Sequence, residues 1–186
     1  LQKQGALNIN LVTPTHYVPQ IISALKIAKE KGLSLPVLYN TSGYETPETL
    51  ELLRDYVDIF LPDFKYYEEE YAQKYSGAKN YPDAVKKAIA KMYELVGKCE
   101  FDESGIIKKG VIVRHLMLPG LEEDTKKILE YLFKTYGDDI YISIMSQYTP
   151  LPTLPKKFPE LSTPVDMAVY DKVLDFAVDL GIENAF

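Results

Sequence analysis

Cysteine is nearly missing from this sequence. Cys99 is the only one, so no internal disulfide can form and no multi-cysteine metal site can be built from this chain. Basic character is also short: 21 Lys and Arg against 27 Asp and Glu leave a net charge of −6. No basic stripe appears, which argues against a nucleic-acid partner. No apolar run approaches the roughly 18 residues that would suggest a membrane-spanning helix, and there is no signal peptide, so a reducing cytoplasmic setting is expected. Neither G-x-G-x-x-G nor G-x-x-x-x-G-K-[ST] occurs, so the common dinucleotide and nucleotide cradles are unsupported. H-E-x-x-H and G-x-S-x-G are missing as well. The two histidines, His16 and His115, read as hydrogen-bonded structural residues rather than metal ligands.

What remains is ordinary globular material: 186 residues, 46% hydrophobic and 26% charged, enough for one domain spanning 1–186. The chain opens on Leu1 rather than Met, with a strand-like run inside the first ten residues, so it is expected to be a piece of a longer protein. Strand-like runs rich in Ile, Val, Leu and Tyr lie at Asn8–Val12, Pro36–Tyr39, Asp58–Leu61, Val111–Leu118 and Ile140–Met145. Helical spacing fills the gaps. Ile21, Ile22, Leu25 and Ala28 make one stripe that stops at Gly32. Thr46-Pro47-Glu48 is a cap with a first-turn proline. Asp83 to Val96 stops at Gly97, and Glu122-Glu123-Asp124 opens a helix that ends at Gly137. The acids suit that helix N-terminus. Prolines at 150, 152, 155, 159 and 164 exclude helix or central strand there. This proline-rich excursion, 150–165, leads through a capping-box-like Thr163-Pro164-Val165-Asp166 into a C-terminal helix.

Strands alternating with helices predict right-handed βαβ units on a parallel sheet. A complete eight-fold barrel takes about 250 residues, so two architectures stay open: a doubly wound five-stranded sheet or an incomplete barrel. In both, ligands sit at the C-terminal ends of the strands. Those ends carry Thr13-Pro14-Thr15-His16, Asn40-Thr41-Ser42-Gly43, Asp63-Phe64-Lys65, Arg114-His115 with Pro119-Gly120, and Ser146-Gln147-Tyr148-Thr149. Side chains alternate along a strand. Ile59, Leu61, Asp63 and Lys65 share one face, as do Ile112, Arg114, Leu116 and Leu118, and as do Ser143 and Gln147. A cation, an acid and amides projecting inward suit a polar, zwitterionic ligand, although an ion pair with Asp63 is an alternative role for Arg114. Cys99 reads as a bystander, and Glu68-Glu69-Glu70 as a solvated helix face. The tyrosines at 66, 67, 71 and 75 read as part core, part candidate partner surface.

Three stretches in this order, Leu38-Tyr39-Asn40-Thr41-Ser42-Gly43, Ile59-Phe60-Leu61-Pro62-Asp63-Phe64-Lys65 and Val113-Arg114-His115-Leu116-Met117-Leu118-Pro119-Gly120, resemble radical S-adenosylmethionine enzymes. The pyruvate formate-lyase activating enzymes and their relatives are the nearest group. Asn8 to Tyr17 and Met145 to Pro150 are similar to further signatures of those relatives, so the resemblance covers roughly residues 8–150.

The resemblance implies a partial (β/α)6 barrel, an incomplete TIM-like parallel barrel whose first β/α unit is missing from this chain. In the family that unit carries a C-x-x-x-C-x-x-C loop holding a 4Fe-4S cluster. The next family strand usually ends in G-G-E, which meets the amino group of S-adenosylmethionine; here Thr13-Pro14-Thr15-His16 stands in its place, with Thr15 or His16 as the substitute. Asn40 stands where the family commonly has an Asp near the ribose or a cation. Asp63 and Lys65 match a D-x-K pair, Asp63 toward the ribose or cation region and Lys65 toward the carboxylate. Arg114 matches the arginine of an R-x-x-x-x-P-G strand, and Thr149 stands where a ribose-contacting histidine is common. The implied chemistry is reductive cleavage of S-adenosylmethionine by the cluster to methionine and a 5′-deoxyadenosyl radical, with an electron donor and a glycyl-radical enzyme or other protein substrate as partners. The protein positions the cofactor and excludes competing reactions. The chain by itself, without cluster ligands, is expected to be inactive. Two other classes stay open: a Schiff-base aldolase-like lyase using Lys65, and a non-enzymatic regulatory α/β domain with Asp63 as phosphoacceptor.

Overall fold

The computed structural model describes residues 1–151 and 157–186. Among the described residues there are six strands: β1 (Ile9–Val12), β2 (Val37–Thr41), β3 (Ile59–Pro62), β4 (Glu100–Phe101), β5 (Ile107–Leu116) and β6 (Tyr141–Met145). The helices are α1 (Val18–Glu30), α2 (Pro47–Glu51), α3 (Glu69–Tyr71), α4 (Tyr81–Val96), α5 (Glu122–Tyr136) and α6 (Met167–Asp179). The strand order is β1-β2-β3-β5-β4, with β6 also on β5. The β1/β2, β2/β3 and β3/β5 pairs are parallel, and the short β4 runs antiparallel to β5. This is the expected α/β fold with a mostly parallel sheet. The strand expected from Val111 begins earlier, at Ile107, because β4 pairs with its N-terminal end.

The chain divides into two compact units interleaved in sequence. The first comprises Leu1–Asp63 and Asp83–Val113, the second Phe64–Pro82 and Arg114–Phe186. In the first unit, Val37, Leu38 and Tyr39 are all buried, as befits a parallel strand with both faces covered. Leu50, Leu53, Val57, Ile59 and Phe60 join them, as do Val85, Ala88, Ile89, Met92 and Val96 on one stripe of α4. Burying each large side chain contributes about 1.5–3 kcal/mol. β1 pairs only with β2 among the described strands and alternates half-buried with exposed residues, Val12 being 67% exposed. Cys99 packs on Gly110, where an added Cβ would stand 2.6 Å from its sulfur, and its thiol meets the Val111 carbonyl at 3.4 Å. On the surface, Glu51 receives Arg54 and Lys91, both at 2.6 Å. Hydrogen bonds from these two hold its carboxyl down to about 2, so what this exposed group adds to stability is lost as pH falls through that value.

In the second unit, Ile128, Leu129, Leu132 and Tyr136 of α5, Val173 and Ala177 of α6, and Ile142 and Ile144 of β6 form the core. The tyrosine segment is not one regular helix. A single turn, α3, runs into a π-turn over Ala72–Ser76, with Tyr66 and Tyr81 buried and Tyr75 stacked on Tyr66. α6 starts later than expected: Asp166, not Thr163, is its cap, accepting from the Ala168 N–H at 2.9 Å. Of the proline-rich excursion, residues 152–156 lie outside the described residues. Its described flank packs, with Phe158 and Leu161 buried and the Tyr148 hydroxyl donating to the Leu161 carbonyl at 2.9 Å. Among the described residues no helix is long and apolar enough to cross a membrane.

Candidate functional site

The parallel register aligns the strand ends of the first unit. Val12 pairs with Asn40 and Asn40 with Leu61. The Thr13 N–H donates to the Asn40 carbonyl at 2.8 Å, and the Asp63 N–H to the Thr41 carbonyl at 2.9 Å. Thr13 takes a positive φ of 52°, and the chain then turns through a 3-10 segment, Thr15–Tyr17. Of the expected residues, Asn40 and Asp63 are half-buried, Thr15 is half-buried and His16 is exposed.

Thr15 does not stand alone. Its hydroxyl donates to Glu45 Oε1 at 2.7 Å, and the Thr41 hydroxyl donates to the same oxygen. The Gly43 N–H in turn donates to Thr41 Oγ1 at 3.3 Å. Glu45 is 4% exposed and Tyr39 fully buried. Glu45 Oε2 and the Tyr39 hydroxyl are buried without a hydrogen-bond partner. Burial, above all, pushes the Tyr39 phenol up to about 12, against the opposing influence of the nearby Thr15 hydroxyl, and the Glu45 charge adds to the rise. The tyrosine therefore keeps its proton. Sequence reasoning missed Glu45, because a glutamate four residues past the end of β2 looks like any solvated loop acid. The faint signal was a Thr-x-x-x-Glu spacing just ahead of the Thr46 cap.

In the second unit, the Phe64 N–H donates to the Arg114 carbonyl at 2.8 Å, which sets Lys65 beside the end of β5. The Lys65 N–H donates to the Tyr81 hydroxyl at 3.0 Å. Arg114 is half-buried, like Ile112 and Leu116 of the same parity, while Val113, His115 and Met117 are buried. β6 ends at Met145, whose carbonyl accepts from the Met117 N–H at 2.9 Å. The alternation expected to join Ser143 and Gln147 therefore stops at the strand end: Ser143 is buried and Gln147 exposed, and Thr149 is exposed beyond it.

His115 is committed to the fold. Its Nδ1 faces the Phe64 carbonyl at 2.7 Å and its Nε2 the Thr125 hydroxyl at 2.8 Å. A carbonyl only accepts, so Nδ1 carries a proton. Thr125→Val is expected to lower stability by about 1–3 kcal/mol, since it strands a buried ring nitrogen; urea unfolding of variant and wild type measures it. Asp124 accepts from the Tyr67 and Glu68 N–H groups at 2.9 and 3.0 Å. It was expected as one of several acids suiting a helix N-terminus, yet it is buried and ties down the segment after Lys65.

Among the described residues no group of three or more His, Cys, Asp and Glu is placed to hold a metal ion. One half-buried thiol, Cys99, does not fit a 4Fe-4S cluster, which takes several thiolate ligands.

No protein-family model matches the chain. An uncharacterized protein of Methanocaldococcus jannaschii is 30% identical over 179 residues, 95% of this chain and 47% of that protein. The chain thus spans about half the length of the curated relative it matches. A solved domain of a pyruvate-formate lyase-activating enzyme from Bacteroides vulgatus superposes with a TM-score of 0.69 at 14% identity, covering 97% of this chain and 98% of that one. SuiB of Streptococcus suis, solved with S-adenosylmethionine bound, gives a TM-score of 0.62 at 12% identity over 96% of this chain and 37% of SuiB. At these identities the likeness is one of fold. The two interleaved units therefore carry, over nearly their whole length, the fold of a pyruvate-formate lyase-activating enzyme domain, a fold shared with SuiB.

Proposed function

We propose that this chain is the C-terminal part of a radical S-adenosylmethionine enzyme of the activating-enzyme type. The observation that carries the reading is the fold match to the activating-enzyme domain, which spans 97% of one chain and 98% of the other. The S-adenosylmethionine bound to SuiB supports the cofactor. In this reading the fold is completed to a partial (β/α)6 barrel by a further β/α unit ahead of β1. The outer edge of β1, which pairs with no other described strand, supports that arrangement.

The motifs assign Asn40 and Asp63 to the ribose or cation region, Lys65 and Arg114 to the cofactor carboxylate, Thr15 or His16 to its amino group, and Thr149 to a weakened ribose contact. With a 4Fe-4S cluster, whose ligands lie outside this chain, the bound cofactor supplies reductive cleavage to methionine and a 5′-deoxyadenosyl radical. This chain's residues orient the cofactor through charge-assisted hydrogen bonds. The whole protein works in the cytoplasm with an electron donor, on a glycyl-radical enzyme or other protein substrate.

The full-length protein, purified without oxygen and reduced, is expected to release 5′-deoxyadenosine from S-adenosylmethionine, whereas this chain alone releases none. Arg114→Ala or Asp63→Ala lowers release about tenfold or more through loss of a charged hydrogen bond. Equal release by both variants and wild type overturns the residue assignment. No release by the reduced, cluster-loaded wild type overturns the reading.

A further inference from the structure

Past the end of β5 the second unit opens a groove. The Met117 N–H donates to the Met145 carbonyl at 2.9 Å, Pro119-Gly120 turns the chain, and α5 begins at Glu122. The stretch from Glu160 to Val169, with Asp166 capping α6, supplies the rest of the lining. The cavity holds about 350 Å³. Met117, Pro119, Val165 and Val169 make much of its lining apolar. Three carboxylates, Glu122, Glu160 and Asp166, also line it, with no lysine or arginine among the lining residues. All of these residues belong to the second unit.

The three acids are not equally engaged. Lys74 at 2.6 Å and the Tyr75 hydroxyl at 2.9 Å both meet Glu160 Oε1, which offsets that charge. Asp166 gives Oδ1 to the Ala168 N–H and keeps Oδ2. Glu122 is half-buried, and Lys126, one turn on, pairs with Glu123 instead. Among the described residues no cation pairs with Glu122 or Asp166. Acids at the starts of α5 and α6 offset the helix dipoles, but each helix end presents only roughly half a positive charge. Two full carboxylates therefore leave an excess of about one negative charge beside an apolar wall. An anion is repelled there, and a purely apolar occupant strips water from carboxylates it cannot pair. A metal ion is not served either, since among the described residues no three acids are placed to hold one. An alkyl stem that ends in a cation meets both halves of the groove.

We propose that this groove docks an arginine side chain of a protein partner, its stem on Met117, Val165 and Val169 and its guanidinium between Glu122 and Asp166. Arginine suits it better than lysine because a planar fork serves two carboxylates at once, and arginine is enriched at protein interfaces. The assignment rests on the groove alone and holds whichever reaction the full-length protein performs.

Methyl NMR of the full-length protein, labelled at methionine and valine, tests it. The probes are acetyl-glycyl-arginyl-glycinamide and its citrulline counterpart, in which a neutral urea replaces the guanidinium. At low salt, shifts centred on Met117, Val165 and Val169 are expected, with the arginine peptide binding about five- to tenfold more tightly. High salt is expected to narrow that gap. A peptide whose cationic side chain is two methylenes shorter is expected to bind about threefold or more weakly, because it keeps the charge and loses apolar contact. Glu122→Gln combined with Asp166→Asn is expected to bring the arginine and citrulline peptides within about twofold. Asparagine still caps α6, which preserves the fold. If the double variant does not fold, Glu122→Gln alone decides, with the gap expected to shrink by about half. An unchanged gap in the deciding variant overturns the proposal. So do equal binding of the two peptides by wild type, no binding of the arginine peptide, or shifts that lie away from the groove. Spermidine binding there more tightly than the arginine peptide also overturns it, by assigning the groove to a free polyamine.

Discussion

Gly43→Ala is expected to lower the stability of the first unit by about 2–6 kcal/mol. Two separate causes combine. Gly43 has a φ of +76°, where an L side chain is strained by about 1–3 kcal/mol. A Cβ there would also stand 2.5 Å from the Asp63 carbonyl oxygen and 2.7 Å from Val85 Cγ2. Val85 can turn, but Asp63 O belongs to a backbone whose N–H is already bonded to Thr41 O. Relief therefore requires the tails of β2 and β3 to part, an overpacking cost of about 1–3 kcal/mol. Gly32→Ala is the control. Its φ is +91°, yet nothing lies within 4 Å of an added Cβ, so only the backbone strain applies. Urea unfolding of both variants separates the two causes, and equal losses would show that the Asp63 contact gives way freely. Because the same movement displaces Asp63 and Thr41, the proposed cofactor reading also predicts weaker S-adenosylmethionine binding by the full-length Gly43→Ala variant.

Asp124→Ala is expected to cost the second unit about 2–6 kcal/mol, because the N–H groups of Tyr67 and Glu68 both lose their acceptor, at about 1–3 kcal/mol each. Asp124→Asn keeps one acceptor and turns an NH2 group toward the other N–H, so it falls between. The pH dependence has a definite sign. Burial, the main cause, raises the Asp124 carboxyl above its ordinary value, although the two N–H groups pull it down. The folded chain thus binds this proton more tightly than the unfolded one. The stability linked to it is fully present below the ordinary aspartate range and is lost as pH rises through the raised value. Lowering the pH from neutrality is therefore expected to improve wild type relative to Asp124→Asn, as chemical denaturation at stepped pH would show. A gap that moves the other way would mean that the two hydrogen bonds outweigh burial.

Much of the fold was legible in the sequence because hydrophobic period and end signals are local. Pro36–Tyr39 read as a strand, Asp83–Val96 as a helix, and Gly97 and Gly137 as stops, and the structure places β2 at Val37–Thr41, α4 at Tyr81–Val96 and the end of α5 at Tyr136. The order of strands and helices and the α/β class follow from that local information. Tertiary structure decided the rest. β4 is two residues long and forms only because β5 is there to pair with it, so no periodicity announces it. Asp166 replaces Thr163 as the cap because the chain before it is held by the buried Leu161 and Val165. The largest gap was in the acids. Nothing local separates Glu45 and Asp124 from neighbouring solvated carboxylates. Thr41 is a local partner of Glu45, but Thr15 reaches it from 30 residues away, and the Tyr67 N–H reaches Asp124 from 57 residues away. A residue's type and spacing determine what it can bond to, but only the assembled fold determines which partners arrive and whether water is excluded when they do.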